Sequence, residues 1–309
     1  QRTLLSFGIA PLHLLSGRGH HLVWHVRKDS TPFRRLAELG QLVDTLRGVY
    51  RTPQSPQGDI VGLKTGAAFA GIGQVLEFVA HRVLREVSDV CPIDVRVTEV
   101  ETDCGQRGRE IVSLDLSEYG DPLPTRMIRI PFSVYHKPTQ HRRKLGGHVV
   151  DDLPLLFLVP MFEMDEDRAL SAMRDPLQAI ELARYAPTSI PDQTDGTERL
   201  VEAYACSSTA GFHRWFYSQE HEPPSGWPDT YDRTPTDILP TCTQHILAQP
   251  NDLLLKPVGM RHVVRTFMAL GWHPRHIAGL MRSKFERDFG WGDKFYRYDA
   301  ATRADFYTR

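Results

Sequence analysis

The stretch Ser16-Gly17-Arg18-Gly19-His20-His21-Leu22-Val23-Trp24 is the part of this chain that decides how its fold is interpreted. A polar turn with two glycines runs directly into an apolar segment of the kind that forms a strand. Gly17 and Gly19 lack a Cβ, so their backbone amides can approach a phosphate closely. Arg18 offers a permanent forked donor to phosphate oxygens, and His21 offers another donor. The alternative is an ordinary polar hairpin turn with a surface arginine.

A second group of polar residues lies far downstream. Residues 109–115 predict a strand that ends on Asp115, whose carboxylate can hold a Mg²⁺ or Mn²⁺ ion against phosphates. Residues 126–137 follow, and their mixed polar and apolar pattern predicts a half-buried strand. The alternative for both segments is a pair of ordinary strands with solvated charges. The side chains there that can contact phosphate are Arg129, Ser133, His136 and Lys137.

In order and spacing, the two groups resemble the second and third motifs of the archaeo-eukaryotic primase superfamily. The small catalytic subunit of that family has a glycine-rich motif whose histidine binds the incoming nucleotide, then an aspartate, an R-x-P-x-S run and a lysine. The resemblance implies that Asp115 is catalytic and binds Mg²⁺ or Mn²⁺. It also implies a triphosphate site made of Ser16, Arg18, His21, Arg129, Ser133, His136 and Lys137.

The chain departs from the family pattern at three places. Tyr135 stands where many members have a histidine, so either Tyr135 or His136 would take the phosphate contact. The glycine turn is one residue shorter than in many eukaryotic members. The D-x-D pair of the first motif has no counterpart before Ser16, since residues 1–15 contain no acid. Because two divalent ions need several carboxylates, we expect a segment truncated at both ends and inactive by itself.

The C-terminal part carries a second resemblance. Residues 238–242 and 252–262, followed by an apolar helix, resemble the iron–sulfur domain of the primase large subunit. The resemblance implies that Cys242 is the first of four cluster ligands, in the full-length protein only, because no cysteine follows it here. By itself, a lone Cys242 is more often a buried apolar residue. The same resemblance implies template contacts by Tyr296, Arg297, Tyr298 and Arg303.

Composition and charge narrow the class of protein. The 309 residues are 41% hydrophobic and 24% charged, as in ordinary folded proteins. We identify no signal peptide and no apolar run long enough to span a bilayer, and four cysteines do not form a disulfide framework; we therefore expect a cytoplasmic protein with reduced thiols. The net charge is +5 over residues 1–150, −11 over 151–250 and +5 over 251–309. Basic end regions favour nucleic-acid binding there.

The pattern of apolar residues predicts an α+β protein with mixed strands and two long helices. The resemblance implies that these form a catalytic module of the primase-polymerase type, followed by a small all-α C-terminal module. We expect the catalytic module at 1–165, an acidic, proline-rich linker at 166–236 and the large-subunit-like module at 237–309. Residues 222–228 are the clearest linker-like segment. The predicted helices include Thr31–Arg51 and Ala67–Val87, and the predicted strands are His21–Val26, Asp94–Val100, Glu110–Leu116, Arg126–Ile130 and Leu155–Val159.

Together these features predict a DNA primase that makes primers in DNA replication by template-directed nucleotidyl transfer. In that reaction a 3′-hydroxyl attacks the α-phosphate of a nucleoside triphosphate with the help of two metal ions. The expected partners are single-stranded DNA template, nucleoside triphosphates and a replication helicase within a primosome, with no membrane. Two alternatives stay open: a non-catalytic nucleotide- or nucleic-acid-binding relative, and a primer-extending repair polymerase of the same superfamily.

Overall fold

The computed structural model describes residues 1–17, 19–53, 60–98, 111–125, 128–136, 155–250, 254, 256–287, 289–291 and 299–309. Its helices are α1 (Arg2–Leu5), α2 (Thr31–Leu39), α3 (Asp44–Val49), α4 (Leu63–Val87), α5 (Glu166–Arg174), α6 (Pro176–Ala183), α7 (Thr194–Ala205), α8 (Ser208–Phe216), α9 (Thr241–Ala248), α10 (Pro257–Ala269), α11 (Pro274–Phe285) and α12 (Ala300–Thr308). Its strands are β1 (Leu12–Ser16), β2 (Gly19–Val23), β3 (Asp94–Val97), β4 (Ile111–Leu114) and β5 (Val159–Pro160). This mixture of helices and small sheets confirms the α+β class.

The chain divides into two compact units, each built from two separate stretches of sequence. Unit 1 consists of Gln1–Pro32 and Met127–Arg199, and unit 2 consists of Phe33–Arg126 and Leu200–Arg309. The predicted modules, with boundaries at residues 165 and 236, follow the family resemblance and stay a prediction. The compact units have other boundaries, because each combines two separate stretches of the chain. Asp115 therefore belongs to unit 2, and the glycine-rich turn belongs to unit 1.

Unit 1 contains a three-stranded antiparallel sheet in the order β2-β1-β5. Helices α5 and α6 cover one face of this sheet, where Leu15 and Val159 pack with Ala169, Met173 and Leu182. The Asp165 carboxylate accepts a hydrogen bond from the Arg168 amide at 2.9 Å and thereby caps α5.

The strand predicted over Arg126–Ile130 is wrong for residues 128–130, which form no strand. A turn at Pro131 and Phe132 ends that segment, and Phe132 has a φ of 64°. The next residues are extended instead and lie beside residues 156–158: the Tyr135 amide donates to the Leu156 carbonyl at 2.7 Å, and the Leu158 amide donates to the Ser133 carbonyl at 3.0 Å. The predicted strand is therefore shifted toward the C-terminus by the proline turn.

In unit 2 the helix predicted over Thr31–Arg51 is interrupted, and α2 and α3 are separated by residues 40–43. The break coincides with a close crossing over α4. A Cβ on Gly40 would lie 1.8 Å from the carbonyl oxygen of Ala67, and one on Gly71 would lie 2.0 Å from that of Leu36. Only glycine allows the two backbones to approach this closely.

Helix α4 is the central helix of unit 2, and its predicted C-terminal end at Val87 is confirmed. Among the described residues, α4 is the one helix that is long and apolar enough to cross a membrane, judged by length and composition. Core helices of folded proteins can have the same composition, and α4 buries apolar residues that include Val75, Phe78 and Val79. The apolar character of α4 is therefore accounted for by packing inside unit 2.

The remainder of unit 2 is a helical core built from α8 to α12. The predicted linker-like segment at residues 222–228 is not a linker in the structure, because it forms a 3₁₀ turn that buries Trp227. The Trp227 indole N–H donates to the Glu222 carbonyl at 2.9 Å, and Tyr231 and Phe216 lie in the same apolar cluster. Phe216, one of the aromatic residues of 209–219, is fully buried in the same cluster. Strands β3 and β4 form a separate two-stranded parallel sheet.

Candidate nucleotide-binding site

The glycine-rich stretch forms a tight β-hairpin in unit 1. Strands β1 and β2 pair up to Ser16 opposite Gly19, and the Ser16 hydroxyl donates to the Gly19 carbonyl at 2.9 Å. Gly19 has a φ of 152°, a backbone conformation that residues with a side chain rarely adopt. The turn and the following strand predicted from the sequence are present, and they form the hairpin that was the alternative interpretation of this stretch. Arg18 itself lies outside the described residues.

The strand register decides which histidine belongs to which face of the sheet. Because side chains alternate along a strand, Ser16 and His21 share one face with Leu14, which is opposite His21 in the register. His20 lies on the other face with His13. The two adjacent histidines of the motif therefore point to opposite sides, which the sequence alone could not show.

Residues 133–135, from the downstream group of polar residues, lie near the hairpin. Ser133 and Tyr135 are on the same sheet face as Ser16 and His21. Val134 pairs with Phe157, so the register gives Ser133 and Tyr135 the face that also carries Leu158 and Leu14. A Cβ on Gly17 would lie 3.2 Å from the Tyr135 ring. The structure thus brings the glycine-rich turn and residues 133–135 together within unit 1, whereas Asp115 belongs to unit 2.

Arg129 and Ser133 are the most informative side chains of this group. The Arg129 guanidinium lies 4.6 Å from the centre of the Tyr135 ring, a cation–π contact that fixes its position. Burial lowers the pKa of Arg129, whereas Tyr135 raises it. The Nη1 atom of Arg129 and the Oγ atom of Ser133 are buried without a hydrogen-bond partner in the described part of the chain. Buried donors are nearly always paired, so these two atoms are candidate donors to the acceptor oxygens of a ligand.

Tyr135 is a site residue for which the sequence left two alternatives. Its ring contacts both the hairpin and Arg129, whereas His136 is exposed and has no such contact among the described residues. Tyr135 therefore packs against the hairpin and Arg129, and which of Tyr135 and His136 contacts phosphate stays a prediction. Lys137 lies outside the described residues.

The opposite face of the hairpin carries a histidine pair. His13 Nε2 lies 2.8 Å from His20 Nδ1, and His20 Nε2 lies 3.9 Å from a Glu166 carboxylate oxygen on α5. Burial and the neighbouring His20 lower the pKa of His13. The two histidines therefore connect the hairpin to α5, on the sheet face opposite Ser16 and His21.

Comparisons with protein-family models, curated proteins and solved structures give no match. The functional argument consequently depends on the residues and their geometry.

Asp115, the predicted catalytic metal ligand, is exposed directly after β4 in unit 2, and its carboxylate accepts a hydrogen bond from the Ser117 amide at 2.9 Å. Asp121 is buried, and its Oδ1 lies 3.8 Å from Nη1 of the Arg303 guanidinium. Among the described residues, no group of three acidic, histidine or cysteine side chains could hold a metal ion. The described donors around Asp115 therefore do not fit the two-ion centre that the resemblance implies.

The C-terminal candidates have internal contacts. Arg303 lies 5.6 Å from the Tyr307 ring centre and is mostly buried, while Tyr296, Arg297 and Tyr298 lie outside the described residues. Cys242 is exposed at the start of α9, and its Sγ lies 3.1 Å from His262 Nε2. The expectation that a lone Cys242 is a buried apolar residue is therefore wrong.

Proposed function

We propose that unit 1 binds the triphosphate of a nucleotide and that the chain is part of a DNA primase or primase-polymerase. The observation that carries the proposal is the pair of buried, unpartnered donors, Arg129 Nη1 and Ser133 Oγ, in the motif that resembles the family's phosphate-binding run. His21 and Ser16 share the sheet face of Ser133. Cationic and hydroxyl donors on one face suit phosphate oxygens.

The full proposal includes the reaction of the family. Ser16, Arg18, His21, Arg129, Ser133 and Lys137 bind triphosphate, single-stranded DNA is the template, and primer synthesis occurs in the cytoplasm together with a replication helicase. Nucleotidyl transfer would need carboxylates in addition to Asp115. Residues Tyr296, Arg297, Tyr298 and Arg303 are weaker candidates for template contact, and Cys242 for an iron–sulfur cluster in a longer protein.

A second candidate function is a nucleotide-binding relative without catalysis. The specific observation in its favour is that no group of three acidic, histidine or cysteine side chains in the described part of the chain could hold a metal ion. The two candidates share the triphosphate site and differ in the metal centre. Primer extension with Mn²⁺ by a longer protein that includes this chain would exclude the second candidate.

The triphosphate site itself can be tested with this chain by titrating a nucleoside triphosphate in a calorimeter. We expect His21→Ala and Arg129→Gln each to weaken binding by about tenfold, because a hydrogen bond to a charged group contributes about 1.5–3 kcal/mol. Each variant has a matched control on the opposite sheet face or on α5: His20→Ala for the first and the exposed Arg168→Gln for the second.

The result that would contradict the proposal is equally specific. If wild-type chain binds the triphosphate and neither variant changes the affinity beyond its control, the ligand is bound elsewhere. If the wild-type chain binds no triphosphate at all, the assignment of unit 1 fails together with the family resemblance.

A further inference from the structure

His273 directly precedes helix α11 in unit 2 and is its N-terminal cap. The Nδ1 atom of its ring accepts a hydrogen bond from the Arg275 amide at 3.1 Å. Because Pro274 occupies the first helical position and has no N–H, the Arg275 amide is the first donor of α11 that needs a partner. The cap therefore depends on an Nδ1 atom that carries no proton.

The other ring nitrogen of His273 connects α11 to the C-terminal end of α8. A neutral imidazole has one N–H, and since Nδ1 is an acceptor, the proton is on Nε2. Nε2 donates to the Trp215 carbonyl at 3.1 Å. The two rings also meet edge to face, with their centres 4.4 Å apart. The neutral side chain thus holds the start of one helix against the end of another.

A protonated His273 is incompatible with this arrangement. An imidazolium is a donor at both nitrogens, so its Nδ1–H would face the Arg275 N–H with two donors at hydrogen-bond distance. Its positive charge would also lie at the N-terminus of α11, where the helix dipole disfavours a cation. The ring must rotate to separate the two donors. The Trp215 carbonyl keeps a partner when the ring leaves, because it also accepts from the Ser218 hydroxyl at 2.7 Å.

The surroundings of His273 set the direction in which its protonation is shifted. Burial lowers the pKa of His273 most, and the neighbouring His276 and Arg275 of α11 lower it further, whereas the hydrogen bond to the Trp215 carbonyl raises it. From α8 the ring is faced by Trp215, which has no charge. The pKa of His273 is therefore lowered overall from its ordinary value of 6.5. The ring is half-buried, so the neutral, capped form is favoured at neutral pH and solvent protons reach it in mild acid.

We infer that His273 is a pH-sensitive switch, which joins α11 to α8 when it is neutral and releases both the cap and the Trp215 contact when it is protonated. The helix that it controls is central to the packing of unit 2, because nine of the twelve residues of α11 are buried, among them Ile277 and Met281. The inference is independent of the proposed triphosphate site, which lies in unit 1.

The first test is urea unfolding of the full chain at pH 7.5 and pH 5. The unfolded chain binds the proton of His273 near pH 6.5 and the folded chain binds it at a lower pH, so the stability that His273 contributes is lost as the pH falls below 6.5. His273→Asn keeps a cap acceptor that does not titrate. Between the two pH values, wild type should lose about fivefold in the folding equilibrium constant relative to His273→Asn. A loss of the Trp215 contact in the variant is the same at both pH values and cancels.

Hydrogen exchange of the Arg275 amide, followed by NMR, observes the switch directly. Its protection factor should fall about fivefold in wild type between pH 7.5 and pH 5 and stay constant in His273→Asn. His276→Gln removes a neighbour that lowers the pKa of His273, so the midpoint should move toward 6.5. His81→Gln is the matched control, because it removes an exposed histidine from α4 and should leave the pH dependence unchanged.

The outcomes that would overturn the inference are equally defined. If the Arg275 amide keeps its protection in wild type at pH 5, or loses it equally in His273→Asn, His273 is not the switch. The same follows if His81→Gln removes the pH dependence as completely as His273→Asn does. If His273→Asn does not fold, wild type alone decides: the NMR titration midpoint of the His273 ring must coincide with the loss of Arg275 protection, and separate midpoints overturn the inference.

Discussion

At the scale of single residues, Ser133 distinguishes a ligand-binding role from a structural one. Its buried hydroxyl has no partner in the described part of the chain, so the folded protein gains nothing from it and bears the cost of its desolvation. We expect Ser133→Ala to keep the free energy of unfolding or raise it by about 1 kcal/mol, while nucleotide affinity falls. Urea unfolding and calorimetric titration of the same variant measure the two effects.

Ser207→Ala provides the opposite pattern as a control. The Ser207 hydroxyl caps α8 by accepting a hydrogen bond from the Ala210 amide at 3.1 Å. Loss of this cap should cost about 1 kcal/mol of stability without any change in nucleotide affinity. A Ser133→Ala variant that is both destabilised and normal in binding would show that the hydroxyl has a structural role.

The sequence predicted the glycine-rich turn and the strand that follows it, and both are present in the hairpin of β1 and β2. The role of these residues in binding phosphate stays a prediction. The distinction between His20 and His21 could not be predicted, since strand register alone sets the face of each side chain. The contact of Tyr135 with Gly17 depends on a long-range approach that no local pattern encodes.

At the scale of secondary-structure elements, the crossing of α2 and α4 is the most sensitive point. A Cβ at position 71 would lie 2.0 Å from the Leu36 carbonyl oxygen, which is backbone and cannot move without shifting α2. We expect Gly71→Ala to lower the free energy of unfolding by about 3 kcal/mol, as for other severe overpacking. The measurement is a urea titration followed by circular dichroism.

Gly48→Ala is the matched substitution in α3. Nothing lies within 4 Å of a Cβ at that position, so alanine meets no obstacle and gains helix propensity of about 0.5–1 kcal/mol. The paired experiment therefore predicts effects of opposite sign for the same chemical change. Equal effects at both positions would contradict the close crossing.

The elements that the sequence predicted well are those with strong local signals. Helix α4, with its sustained apolar period, is the clearest example. The interruption at residues 40–43 escaped prediction because the apolar spacing continues through it; the cause is the backbone contact with Ala67. The shift of the strand near Pro131 likewise comes from a turn whose exact position the apolar pattern does not fix.

At the scale of the whole molecule, the discontinuous units explain why domain organisation was hard to infer. The chain leaves unit 1 after residue 32 and returns to it at residue 127. Local composition reflects only residues that are close in sequence. For this reason the proline-rich segment near Trp227 was predicted to be a linker, although the tryptophan is buried. Long-range packing decides both features, and it is not readable from local composition.

A buried polar network joins distant parts of the sequence inside unit 2. Glu77 on α4 accepts hydrogen bonds from Arg309 at 2.9 Å and lies 2.8 Å from His213 Nε2. His213 Nδ1 lies 2.8 Å from the Tyr204 hydroxyl, which donates to the Gln74 side chain at 3.2 Å. Burial by itself would raise the pKa of Glu77, but Arg309 and the hydrogen bond with His213 lower it to about 2.

The lowered pKa of Glu77 makes the stability of unit 2 depend on pH in a defined direction. A carboxylate whose pKa is lowered in the folded state contributes its full stabilisation above the ordinary pKa of 4.5. That stabilisation is lost as the pH falls from 4.5 to about 2.

We expect Glu77→Gln to lower the free energy of unfolding by about 3–5 kcal/mol at pH 7, because Arg309 is left buried without its anion. Urea unfolding at pH 7, 4.5 and 2.5 should show that the difference in the free energy of unfolding between wild type and variant narrows by roughly 3 kcal/mol over the acidic interval.

Glu86→Gln is the control, because the ion pair of Glu86 with Arg82 is at the surface. This substitution should change stability by less than about 0.5 kcal/mol. A gap between wild type and Glu77→Gln that stays constant with pH would mean that Glu77 is not the ionised partner of Arg309.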